Sequence, residues 1–257
     1  MPAVATLALG REVGQALQRS LPAGGAWRLV PCGGLPQLEH TLRSQLVDAI
    51  VFPPHRMPFA ALTGLRQSFP HIPWIAFGPF RPDDGLLMLA AVTGGVTLAL
   101  VEGVDNAVAG ELVARHSATA LRRRELAGAD RLLRLSGPLQ QLVWAWLLER
   151  PDRPIRTTQL AALVGCTREH LSREFAAGGA PNLKRVIDLT RVVCAASLLT
   201  NPGYDARAVA MILRFASASH LTTTARRIAG VPTARLPSLG VSGIVAAFAR
   251  GATRSRL

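Results

Sequence analysis

The side chains grouped for chemistry in this chain are arginines and hydroxyls rather than nucleophiles. In "QLAALVGCTREHLSREF", residues 159–175, the apolar residues Leu160, Ala161, Leu163, Val164, Leu171 and Phe175 fall at helical spacings, but Gly165 and a Cys166-Thr167 pair interrupt them. The interruption makes sense as two helices, over 158–164 and 168–177, with Gly165 supplying the tight turn and Thr167 capping the second. That second helix buries Leu171 and Phe175 and leaves Arg168, Glu169, Ser172, Arg173 and Ala176 on its other face. Two helices in this relation form a helix-turn-helix, whose second helix enters the major groove of DNA.

Other chemistry is not legible. The chain has no GxGxxG after a strand, no GxxxxGK[ST], no GxSxG elbow and no HExxH, so neither an acid-base pair nor a nucleophile is set up and no enzyme or cofactor is expected. The histidines are scattered, and His40, His55, His71 and His116 suit surface or core positions rather than ligand sets. Cys32, Cys166 and Cys194 lack CxxC spacing and suit small buried hydrophobes in a reducing cytoplasm.

The elements around the quoted stretch repeat its plan. "LQQLVWAWLLER", 139–150, is a helix with Leu142, Trp144, Trp146 and Leu147 to bury. A long helix follows over 182–199. Then "ARAVAMILRFASASHLTTTARRIAGVP" presents a second helix pair, over 206–213 and from Ser217 or Ser219 to about Ile228. An 18-residue connecting helix is about 27 Å long, which suits two reading helices about one DNA turn, some 34 Å, apart. Charge agrees with this: the formal net charge is +13, of which residues 1–128 carry +2 and residues 129–257 carry +11, and Lys184 is the sole lysine. A polyanion is the expected partner of the second half.

In the first half, short apolar runs alternate with amphipathic stretches, the pattern of β-α repeats around a parallel sheet. Strands are expected over 4–9, 27–30, 48–52, 73–77 and 96–101, and helices over 11–21, 35–44, 59–69 and 84–93. Five such units suit a doubly wound, flavodoxin-like sheet with any ligand at the carboxyl ends of the strands. The 17 uncharged residues 85–101 are divided by Gly94-Gly95 into helix, turn and strand rather than a membrane span. "FPPHRMP" and "GPFRPDD" lie at strand ends, as plain turns or as the rim of a pocket. One helix is expected from Asn106 to about Leu135, followed by Ser136-Gly137-Pro138 as punctuation. The N-terminus lacks a basic leader, and the expected location is cytoplasmic.

Residues 1–120 resemble, by layout, the receiver domain of bacterial response regulators. A receiver needs clustered carboxylates after its first strand, a phosphoacceptor aspartate ending the third and a lysine after the fifth. Here those places hold "LGRE", Pro53 and "LVEG". The resemblance is therefore to a pseudo-receiver without metal-binding or phosphoacceptor groups; an unrelated α/β sensor domain fits the same pattern.

Residues 140–237 resemble the DNA-binding domain of the AraC/XylS family of transcription regulators. "LAALVGCTREHLSREF" carries the likeness, together with "RVVCAASLLT" (with Arg191, Ala195 and Leu199 at that family's R, A and L), "VAMILRF" and "GVPTARL". The chain departs from the family at Arg214, where a glycine is usual, at Ala225, where an aromatic is usual, and at Leu236-Pro237, where an aromatic-arginine pair is usual. By this resemblance bases are read by Glu169, Ser172 and Arg173 in the first helix and by Ala218, Ser219, Thr222 and Thr223 in the second. Phosphates are expected to be held by Arg156, Arg168, Lys184, Arg185, Arg226 and Arg227, while Arg191, on the long connecting helix, is expected to be structural. Arginine suits guanine and glutamate suits cytosine N4, whereas small hydroxyls discriminate little, so the first motif carries most of the sequence information.

The expected organisation is a receiver-like α/β domain (1–120), a connecting helix (121–137), a double helix-turn-helix bundle (138–240) and a mobile basic tail (241–257). It implies a regulator that binds double-stranded promoter DNA, with the first half serving a homodimer, a protein partner or a small-molecule effector. The alternative is a protein-interaction module controlling another regulator.

Overall fold

The computed structural model describes residues 2–23, 27–57, 59–152, 154–176 and 179–254. The chain forms two compact units, the first ending at Leu121 and also taking in Asn201–Gly203, the second beginning at Arg122.

In the first unit, β1 (Ala3–Leu7), β2 (Arg28–Cys32), β3 (Ala49–Phe52), β4 (Trp74–Gly78) and β5 (Leu98–Val101) form one parallel sheet in the order β2-β1-β3-β4-β5, the expected flavodoxin-like order. Register is set by pairs such as Val4 with Ala49, Val51 with Ile75 and Ala76 with Ala99. The three inner strands are buried along their whole length, which is why they are continuous apolar runs rather than alternating ones. The helices α1 (Arg11–Ser20), α2 (Leu35–Ser44), α3 (Phe59–Ser68), α4 (Gly85–Thr93) and α5 (Ala109–Arg115) connect the strands and follow β5. The uncharged run 85–101 is α4, a left-handed Gly95 (φ 74°) and β5, as expected. Among the described residues no single helix is long and apolar enough to cross a membrane. Where α1 meets α5, a Cβ on Gly110 would stand 2.3 Å from the Leu21 nitrogen, and the Gly110 N–H donates to Ser20 Oγ at 2.8 Å; only glycine permits that approach.

The helix expected from Asn106 to Leu135 is instead three: α5, α6 (Ala118–Glu125) and α7 (Ala129–Leu132). Ser117 Oγ accepts the Ala120 N–H at 3.1 Å and so starts a new helix, and left-handed Gly128 (φ 81°) precedes α7. The predicted connector 121–137 is not a bare linker either, because Leu126, Ala129, Leu133 and Leu135 are buried. Asp48, at the amino end of β3, fixes the start of α6. Its carboxylate accepts Ala3 N–H at 3.0 Å and Thr119 Oγ1–H at 2.6 Å, and its backbone carbonyl accepts Ala118 N–H at 2.8 Å.

The second unit continues with α8 (Pro138–Glu149), α9 (Thr157–Leu163), α10 (Arg168–Ala176), α11 (Leu183–Leu199), α12 (Ala206–Ile212), α13 (Ala218–Ala229) and α14 (Leu236–Arg254). α8 buries Val143, Trp144 and Leu147; Leu142 is exposed and Trp146 only half-buried beneath the Arg150 guanidinium, contrary to expectation. One helix face is too narrow for residues 142, 144, 146 and 147 together. α11 is the axis, capped by Asn182, whose Oδ1 accepts Arg185 N–H at 3.0 Å, and buried along nearly its whole length. Of the stretch expected as a mobile basic tail, residues 241–254 belong to α14, and residues 255–257 lie outside the described residues. That helix bends at Gly240 (φ 66°, ψ 173°), packs on α11 and α13, and buries Ile244, Val245 and Phe248.

The two helix pairs share one construction. α9 ends with Cys166 N–H donating to Ala161 O (3.0 Å) and Gly165 N–H to Ala162 O (3.3 Å), with Gly165 left-handed at φ 71°. α12 ends with Phe215 N–H donating to Ala210 O (2.8 Å) and Arg214 N–H to Met211 O (3.0 Å), with Arg214 left-handed at φ 54°. Both are Schellman turns. Arg214 thus occupies, with a side chain, a backbone region that favours glycine, at a cost of about 1–2 kcal/mol. Arg214→Gly is expected to raise stability by about 0.5–1 kcal/mol after the greater freedom of glycine in the unfolded chain is deducted. The reading is a higher urea midpoint at unchanged m value; a lower midpoint would mean that the side chain contributes more than the strain removes.

Candidate nucleic-acid interface

The exposed face of α10 is held from behind. Leu171 and Phe175 are fully buried, and the Gln140 amide of α8 donates to Glu174 O at 2.7 Å. The start of α10 is fixed by Thr167, whose hydroxyl accepts His170 N–H at 3.1 Å, as a cap should. Glu169, Ser172 and Arg173 are all exposed and, at i, i+3 and i+4, share one face, with Arg168 exposed at the helix start. Arg156 is exposed at the start of α9, where its N–H donates to Gln159 Oε1 at 3.0 Å. Every residue predicted for the first helix pair therefore lies on its solvent side.

The second pair divides the predicted set. Ser217 rather than Ser219 caps α13, its hydroxyl accepting His220 N–H at 3.0 Å. Ser219 and Thr223 are exposed at i and i+4. Ala218 is half-buried, and the Thr222 hydroxyl lies 2.9 Å from Thr233 Oγ1 and donates to Ala218 O, so its hydrogen bonds are satisfied inside the fold. Ala225, where the resemblance would place an aromatic, is fully buried, and α13 packs against α14.

The predicted phosphate ligands also separate. Lys184 and Arg226 are exposed. Arg227 instead donates to Asp188 Oδ2 at 2.6 Å and ties α13 to α11. Arg185 lies half-buried with its guanidinium carbon 4.8 Å from the centre of the Phe248 ring; burial lowers its pKa, and the charge of Arg227 lowers it further. Arg191, expected to be structural from its place on the long connecting helix, is buried, donates to Leu213 O at 2.8 Å and stacks 3.8 Å from the Phe215 ring centre. Sequence reading missed Arg250, because its helix was taken as a tail; the apolar spacing of Ile244, Val245 and Phe248 was the available signal.

In the first unit, Pro53 follows β3 and lines a cavity of about 430 Å³ at the carboxyl ends of the strands, with Arg11, Glu12, His55, Arg56 and Glu102 around it. Both proline-rich loops contribute to its lining, through Pro53 and Pro79, and residues 54–56 form a turn closed by the Arg56 and Met57 N–H groups donating to Pro53 O. His55 Nε2 stands 3.5 Å from Asp84 Oδ2. Among the described residues no three His, Cys, Asp or Glu side chains converge as metal ligands. Asp48, a carboxylate buried deep beside the sheet, lies at the opposite, amino end of β3 and is held by Ala3 and Thr119.

No family model matches the chain, and no curated protein matches it. Among solved structures the chain is similar to the crystal structure of full-length FixJ from B. japonicum, with 12% identity and a TM-score of 0.37 over 83% of this chain and 97% of that one.

Because Arg227 serves the fold through a partly buried acid, Arg227→Ala is expected to lower stability by about 1 kcal/mol, after allowing for the solvent exposure of the arginine. Urea unfolding measures it; an unchanged midpoint would return Arg227 to the free cations of the surface.

Proposed function

We propose that this protein is a sequence-specific regulator of transcription that binds promoter DNA through two helix-turn-helix motifs of AraC/XylS type, α9–α10 and α12–α13. The observation that carries the reading is the exposed set Arg168, Glu169, Ser172 and Arg173 on α10, backed by fully buried Leu171 and Phe175. Arg173 presents a fork suited to guanine N7 and O6, and Glu169 an acceptor for cytosine N4. The shared turn and cap construction of the second pair supports its assignment as a second motif. With the Thr222 hydroxyl engaged, Ser219 and Thr223 are its remaining readers, and the first motif dominates specificity.

The first unit serves as a pseudo-receiver that sets oligomeric state or receives a signal. Pro53 at the end of β3 has no carboxylate to phosphorylate. Incubation with a small-molecule phosphodonor and Mg²⁺ is therefore expected to leave the mass unchanged; a stable added phosphate in residues 1–120 would overturn this reading. A role in protein interaction has its own support: α4 carries no charged side chain, yet Leu86, Leu89 and Val92 are exposed. An apolar face of that kind suits a second copy or a protein partner.

The test is selection of genomic fragments by the full-length protein. Enrichment of a few promoter sites is expected, and Arg173→Ala is expected to weaken binding to them by about 1–3 kcal/mol and relax the base preference. Uniform, salt-sensitive retention of every fragment by both proteins would remove the reading of specific DNA recognition.

A further inference from the structure

We propose that the groove between the end of α13 and α14 is a phosphate-binding site that seats a phosphodiester of the bound DNA. The inference rests on the DNA-binding reading above and extends it to α14. The groove measures about 660 Å³, and its lining includes Arg226, Arg227, Gly230, Ala247, Arg250 and Gly251.

Three features point to an anion. First, among the described residues no acidic side chain lines the groove. The Asp188 carboxylate that approaches it is bonded to Arg227, while Arg185 adds a fourth guanidinium, with Nη2 3.6 Å from where a Cβ on Gly251 would stand. Four arginines and one carboxylate leave about three positive charges close together. A phosphate relieves that repulsion and offers oxygen pairs that match the guanidinium fork. The carboxyl end of α13 opposes an anion with about half an elementary charge, which four guanidiniums outweigh.

Second, the arginines differ in freedom in the way such a site requires. Arg185 is stacked on Phe248 and Arg227 is paired with Asp188, so these two are pre-positioned. Arg226 and Arg250 are exposed, one on each wall, and free to close on a ligand. Third, the groove continues the proposed reading face. Ser219, Thr223, Arg226 and Gly230 recur at i, i+4, i+7 and i+11 along α13, so one stripe runs from base-reading positions into the groove. This continuity favours a phosphodiester over a free phosphorylated ligand.

The experiment uses the full-length protein and a selected promoter fragment across a salt series, with Arg226→Ala and Arg250→Ala and the corresponding lysine variants. Both positions are exposed, so the fold is retained. Each alanine variant is expected to weaken binding about tenfold at low salt, equally for the selected and a scrambled sequence, and to reduce the slope of log K against log salt by about one. Lysine is expected to restore the slope.

Thermal unfolding with inorganic pyrophosphate separates the sources. Unchanged DNA affinity and slope, with pyrophosphate raising the midpoint of the wild type but not of the double variant, would keep the phosphate site and overturn its seating of DNA. No change in either measurement would overturn the site. Absence of DNA binding by the wild type with pyrophosphate protection intact would overturn the DNA-binding reading while leaving the site standing.

Discussion

The second helix pair depends on one buried guanidinium. Arg191 lies inside the second unit, where desolvation lowers its pKa against the opposing pull of Asp188. A charge in that position is tolerated because it is used twice: it donates to Leu213 O and stacks on Phe215. Leu213 and Phe215 flank Arg214, the left-handed residue that ends α12. The guanidinium therefore grips the turn on both sides of its strained residue and holds the angle at which α13 leaves it. Removing one partner of such a set leaves a buried polar group unmatched, so the turn is specified by hydrogen bonding as well as by packing.

The same helix organises the rest of the unit. α11 meets α13 through the Asp188–Arg227 pair and α14 through Arg185 over Phe248. Seventeen residues make α11 about 26 Å long, so a rigid strut joins the two proposed reading heads. Its apolar residues fill the core, and Arg185, Asp188 and Arg191 each have an identifiable neighbour. α14 completes this core and brings Arg250 toward the end of α13.

The architecture of the α/β unit rests on packing rather than on polar groups at its strand ends. Its parallel strands and their order follow from buried apolar runs joined by helices, none of which depends on a carboxylate at the strand ends. At the carboxyl end of β3 stands Pro53, among side chains of both signs. At the amino end stands Asp48, bonded to Ala3 and Thr119 and committed to anchoring α6. The position of a carboxylate along a strand, rather than its presence in the chain, decides whether it serves chemistry or structure.

Much of this was determined by the sequence alone. Strand and helix positions followed from apolar periodicity, the break at Gly165-Cys166-Thr167 announced a turn and a cap, and the exposed face of α10 followed from the spacing of Leu171 and Phe175. These are local properties, set within a few residues by backbone sterics and by which face is apolar. Tertiary structure decided what depends on distant partners. Thr222 and Arg227 look like free ligands on a helical face, but Thr233 and Asp188 occupy them. Residues 106–135 carry a continuous helical pattern, yet Ser117 caps a new helix where the Asp48 carbonyl and carboxylate receive Ala118 and Thr119. Arg250 joins a basic groove only because Ile244, Val245 and Phe248 find a core to enter. A hydrogen bond or ion pair between residues 39 or 71 positions apart leaves no periodic trace in a sequence, and only the folded chain brings its ends together.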